Sequence, residues 1–157
     1  MIISVGPRVD CKYWKNQEIT WADFVSKVSR PQVTPETYIE YMTLSKDRQN
    51  SIKDVGGFVA GNLFKGIRKP KNVTRRSALT LDLDFAPLTF WDEFTFVFDC
   101  EAILHTTHKH SSRTPRFRLI IPLAHDITPD EYEPIARQVA AMLNICLLYT
   151  SPSPRDS

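Results

Sequence analysis

"SALTLDLDFAP" (residues 77–87) sets two acids, Asp82 and Asp84, into a run of leucines that otherwise reads as a buried strand. Residues two apart on a strand share a face. Asp82 and Asp84 therefore point one way, and Leu81, Leu83 and Phe85 the other. Two neighbouring carboxylates repel, and burying them unpaired is costly. Something cationic has to sit with them. A divalent ion does this well, because hard oxygen ligands suit Mg2+ or Mn2+. The alternatives are acids that face water on an edge strand, or acids paired with Lys or Arg.

Basic residues flank this strand on both sides. From Lys46 to Arg76 there are nine Lys/Arg against two Asp/Glu. The densest part, "KGIRKPKNVTRR" (65–76), contains Lys65, Arg68, Lys69, Lys71, Arg75 and Arg76. A second cluster, Arg113, Arg116 and Arg118, follows "THKHSS". A basic run is by default a solvated loop. Next to paired acids, it also suits a phosphate-bearing ligand that needs a metal. On "RFRLIIPL" (116–123), read as a strand, Arg116 and Arg118 share a face. They can grip phosphates through paired hydrogen bonds or form salt bridges across the sheet, with Asp82 and Asp84 as candidate partners.

The remaining pattern is that of a mixed α+β chain. "IISV" (2–5) reads as a strand. "TWADFVSKVS" (20–29) reads as a helix capped by Thr20, and "TPETYIEYMTLS" (34–45) as a second, capped by Thr34 with Pro35 opening it. "GGFVAGNLFKG" (56–66) reads as a short strand and tight turn, and lacks the GK[ST] ending of a Walker loop. "FTFVFDC" (94–100) fits helix or strand equally. "EAILHTTH" (101–108) reads as a strand. "ITPDEYEPIARQVAAML" (127–143) is the clearest helix, capped by Thr128 with Glu131 completing a capping box. Its expected apolar stripe is Tyr132, Ile135, Val139 and Met142.

The chain has 157 residues, enough for one domain with a core. Its 42% hydrophobic and 24% charged content is ordinary for a globular protein. No apolar run approaches the roughly 20 residues of a membrane span. Three scattered cysteines without a CxxC pair fit a reducing, cytoplasmic setting and disfavour a cysteine-zinc site. The tail "CLLYTSPSPRDS" (146–157) resembles translated adapter or vector sequence. The expected layout is an N-terminal helical part over 1–49, a core over 50–145, and a non-native tail over 146–157, in a fragment cut short at its C-terminus.

"LHTTHKHSS" brings His105, His108 and His110, with Ser111 behind them. An HxH could hold zinc, but no cysteine or HExxH stands nearby. Taken together, "GGFVAGNLFKGIRKPKNVTRRSALTLDLDFAP" and "ILHTTHKHSSRTPRFRLIIPL" resemble the catalytic domain of archaeo-eukaryotic primases. More narrowly, they resemble the primase-polymerase domains of phage and mobile-element replication proteins. The superfamily's acid motif, hhhDhD, matches at Asp82 and Asp84. Its small-x-His motif matches "TTH" at His108, with His110 as rival. Many relatives carry the histidine on the strand after the loop, where this chain has "RFR".

The resemblance implies an RRM-like palm: a mainly antiparallel sheet with helices packed on one face. It implies a helix near 94–100 and template-directed nucleotidyl transfer. Asp82 and Asp84 would hold Mg2+ or Mn2+. His108 or His110, with Ser111, Arg116 and Arg118, would grip a nucleoside triphosphate. Lys65, Arg68, Lys69, Lys71, Arg75 and Arg76 would contact the phosphates of a DNA template. A third acid is expected after the last helix, where none stands in a suitable strand, and a helicase domain commonly follows. Other readings are a nucleotide- or DNA-binding module without catalysis, and a different DxD enzyme such as a glycosyltransferase or phosphatase.

Overall fold

The long pair "VTRRSALTLDLD" and "RFRLIIPLAHDI" forms the centre of the molecule, as strands β5 (Val73–Asp84) and β7 (Arg116–Ile127). The computed structural model describes residues 1–145; the suspected tail lies outside them. Around the central pair stand β1 (Ile2–Gly6), β2 (Lys15–Glu18), α1 (Trp21–Val28), α2 (Tyr38–Thr43), α3 (Lys46–Ile52), β3 (Gly57–Val59), β4 (Gly61–Leu63), α4 (Phe90–Val97), β6 (Ile103–Thr106) and α5 (Pro129–Met142). Two antiparallel sheets result, ordered β2-β1-β3 and β4-β5-β7-β6. The α+β architecture expected from the sequence is the one observed.

The path β5-α4-β6-β7-α5 brings β7 between β5 and β6, which is the strand placement of a split βαβ unit. Strand alternation then sorts the side chains. Leu79, Leu81 and Leu83 of β5, with Leu119 and Ile121 of β7, face Phe90 and Phe94 of α4 and Tyr132 and Ala136 of α5. Ala78 and Ile120, on the opposite face, pack against Ile3 of β1 and Phe24 of α1. The upper part of that second face is therefore covered by the three-stranded sheet. Ser77 donates to the Ile2 carbonyl at 2.6 Å, and Ser4 to that of Gly61 at 2.9 Å, which joins the two sheets. Asn16 takes the Leu63 amide and donates to the Leu63 carbonyl, tying β2 to β4.

Several boundaries differ from the sequence reading. The second helix starts at Tyr38, capped by Thr37 rather than Thr34, because Glu40 reaches back to the Thr37 amide and completes a capping box. Residues 94–97 belong to the helix α4. "GGFVAGNL" supplies two strands in different sheets. The switch falls at Gly61, where any side chain would run into the Arg75 carbonyl. Residues 1–49 contain β1 and β2 as well as helices, and β1 pairs with β3 beyond residue 49. On α5 the buried stripe is Tyr132, Ala136 and Ala140, while Ile135 and Met142 are exposed.

Phe85 does not share the core face with Leu81 and Leu83. Its φ of 66° turns it out of the strand, and Ala86 takes the buried place instead.

Tyr132 closes the free edge of β5. Its hydroxyl accepts from the Thr80 amide and donates to the Thr80 carbonyl, both at 3.1 Å. Burial, the largest influence, pushes its phenol pKa up. Tyr132→Phe would strand both backbone groups in a largely buried place. A loss of about 1–3 kcal/mol in urea unfolding is expected; unchanged stability would contradict this role for the hydroxyl.

Candidate functional site

The register of β5 against β7 sets Asp82 opposite Arg118 and Asp84 opposite Arg116. Arg118 donates from Nε to Asp82 Oδ1 at 2.6 Å and from Nη2 to Oδ2 at 3.0 Å, a two-pronged pair. Arg116 donates from Nη1 to Asp84 Oδ1 at 3.2 Å. These four side chains lie on the second face of the four-stranded sheet, opposite the α4–α5 core. They are about a third to a half exposed: 33% for Asp82, 49% for Asp84 and 29% for each arginine. Repulsion between the acids is thus met by two guanidinium groups. Pairs this open to water contribute modestly, on the order of 1 kcal/mol or less each.

The third strand adds His105, opposite Arg118 on the same face. Sequence reading set His105 beside its neighbours without choosing it. The signal that finds it is strand period and register, since residue 105 pairs with 118, which pairs with 82. Its Nδ1 donates to the Thr106 carbonyl at 2.9 Å, leaving Nε2 as the acceptor of the neutral ring. Burial, the largest influence, pushes its pKa below the ordinary histidine range, and the Arg118 charge pushes the same way.

The other predicted residues are placed elsewhere. The His108 ring packs at a tilt on Tyr41 of α2, centroids 4.3 Å apart, and lies 3.5 Å from the Thr34 hydroxyl. His110 accepts the Arg116 backbone amide at Nδ1, 3.2 Å away, and its ring packs on Phe117. Ser111 is occupied within its own loop by Thr114, whose hydroxyl is 2.7 Å away and whose amide donates to it. These contacts shape the β6–β7 loop.

The basic segment stands at the far end of β5. Residues 75 and 84 are separated by about 30 Å of strand. Lys69, Lys71 and Arg75 are exposed there. Lys65 sits at φ 53°, with its ammonium 5.3 Å from the Phe64 ring centre. Arg68 lies over Trp14. Arg76 is buried, its guanidinium 4.8 Å from the Tyr132 ring centre, so it serves the core rather than the surface expected of it. The structure therefore gathers Asp82, Asp84, Arg116 and Arg118 with His105, and leaves the basic segment apart.

Among the described residues no three His, Cys, Asp or Glu side chains cluster as metal ligands. The stretch after α5 where a third acid was expected lies largely outside the described residues, and residues 143–145 supply none. No helix among those described is long and apolar enough to cross a membrane.

The chain belongs to the VapE N-terminal domain family, whose model matches residues 1–152. The family is found in phage and mobile-element replication proteins. Neither the curated proteins nor the solved structures contain a significant match to the chain.

His105 reports on the site's electrostatics. Arg118→Gln should raise its pKa, and Asp82→Asn should lower it, because the two charges act on it in opposite directions. A depressed pKa means that the unfolded chain binds the proton more readily. The stability that neutral His105 contributes is therefore complete above its ordinary value of 6.5 and falls as pH drops below it. NMR titration of the imidazole in the two variants checks the signs. Shifts in the same direction would contradict this arrangement.

Proposed function

We propose that this VapE N-terminal domain is the nucleotidyl-transfer domain of a replication protein, a primase-polymerase that builds DNA strands on a template. One observation carries the reading. Asp82 and Asp84 stand side by side on the part of the second sheet face that the first sheet leaves partly exposed, each within hydrogen-bond reach of an arginine that can turn to a phosphate. Family membership supports a place in replication.

In this mechanism the two carboxylates release their arginines when a nucleoside triphosphate arrives. Arg116 and Arg118 then grip phosphate oxygens through paired hydrogen bonds, for which the guanidinium fork is suited. The freed Asp82 and Asp84 present hard oxygen donors on one face. These would hold Mg2+ or Mn2+, which favours such hard oxygen ligands. Such an ion, when bound, would supply charge neutralisation and a more acidic 3′-hydroxyl. The 3′-oxygen attacks the α-phosphorus, the bond to pyrophosphate breaks, and the hydroxyl proton leaves to water. His105 stands one strand beyond Arg118 and helps keep that arginine's side of the face polar. Lys69, Lys71 and Arg75 would hold template phosphates at the far end of the sheet. A helicase domain elsewhere in the full-length protein fits the same role.

A second reading has its own observation. Both acids are already neutralised by Arg116 and Arg118, so the face is electrically closed without any metal. That is what a nucleotide- or DNA-binding module without catalysis would show.

The two readings separate in a primer-extension assay of the full-length protein. Asp82→Ala and Asp84→Ala should each reduce synthesis by about a hundredfold or more, with DNA affinity largely kept. Synthesis at the wild-type rate by either variant would remove the carboxylates from the chemistry.

A further inference from the structure

Directly after the acid pair, the chain does something unfavourable. Phe85 takes a φ of 66°, in the left-handed region that bulky side chains avoid. Its amide still donates to the Pro115 carbonyl at 3.0 Å, so the ladder holds the turn in place. The strain does not serve burial, because Phe85 is 66% exposed while Ala86 fills the core. The Arg116 guanidinium lies 5.4 Å from the Phe85 ring centre and also bonds Asp84. A largely exposed aromatic ring is thus fixed beside a carboxylate and the arginine paired with it.

We propose that Phe85 is a stacking platform for a nucleobase, set at the rim of the Asp82–Asp84 site. Aromatic side chains bind bases through their faces, whatever the base identity. The neighbouring arginines take the phosphate belonging to the same nucleotide. The ligand is therefore one with a flat ring and a phosphate a few ångströms apart, either a residue of a single strand or a free nucleoside triphosphate. This inference rests on the nucleotide-handling role proposed above.

Two pairs of probes, titrated into the full-length protein, separate the sources. One compares a single-stranded oligonucleotide with an abasic strand of equal length; the other compares a nucleoside triphosphate with inorganic triphosphate. In at least one pair, wild-type protein should prefer the base-bearing probe by about tenfold. Phe85→Asn tolerates the left-handed backbone and should lose that preference, whereas Phe85→Trp should retain it. The new indole in Phe85→Trp should also be quenched by the base-bearing probe alone. Should the Asn variant fail to fold, this quenching decides by itself. An absent preference in wild type, an Asn variant that keeps it, or an unquenched indole at position 85 would each overturn the proposal.

Primer extension by the same wild-type protein is scored separately. Base preference without synthesis defeats the polymerase reading and leaves Phe85 as a platform. Synthesis with base preference intact in the Asn variant defeats only the platform.

Discussion

The antiparallel register of β5 against β7 is the constraint on which the rest depends. With Leu81 opposite Leu119 and Asp82 opposite Arg118, alternation sends every leucine of "LTLDLD" to one side and both acids to the other. One face then buries against α4 and α5. The other is apolar where the first sheet covers it, at Ala78 and Ile120, and charged where that cover ends. A slip of one residue would put Asp82 and Asp84 into the Phe90–Phe94 core and the leucines into water. The bulge between Arg76 and Ala78 absorbs the irregularity before the acids are reached, so the site itself sits in regular ladder.

This sorting explains how repelling acids can neighbour a hydrophobic run. They are not buried with it. They stand partly in water, each matched by a guanidinium from the next strand. Exposure keeps each pair weak enough to exchange, and the geometry keeps the arginines within reach of whatever the carboxylates bind next. A deeply buried pair would hold the charges but resist exchange, since separating it would leave an uncompensated ion. The half-open position therefore suits the exchange of partners proposed for this face.

Much of this was legible in the sequence because it follows from period two and from capping chemistry. The strand faces of Asp82, Asp84, Arg116 and Arg118 could be read directly, and so could the Thr20 and Thr128 caps. The Arg–Asp pairing stood as one alternative among three. The unread features are those decided by tertiary contact. The role of His105 depends on which strand lies beside which. His108 and His110 satisfy a short motif, yet Tyr41 and Phe117 claim their rings. Arg76 looks like one more cation in a basic run until Tyr132 is placed beneath it. Phe85 obeys the alternation in sequence and breaks it in space, because the strand ends one residue earlier at Asp84.

Calorimetric titration of a nucleoside triphosphate into the full-length protein, with and without Mn2+, tests the central claim most directly. The account predicts uptake that is strengthened by the ion and depends on both carboxylates and both arginines. No heat of binding under either condition would mean that Arg116 and Arg118 are there only to neutralise Asp82 and Asp84.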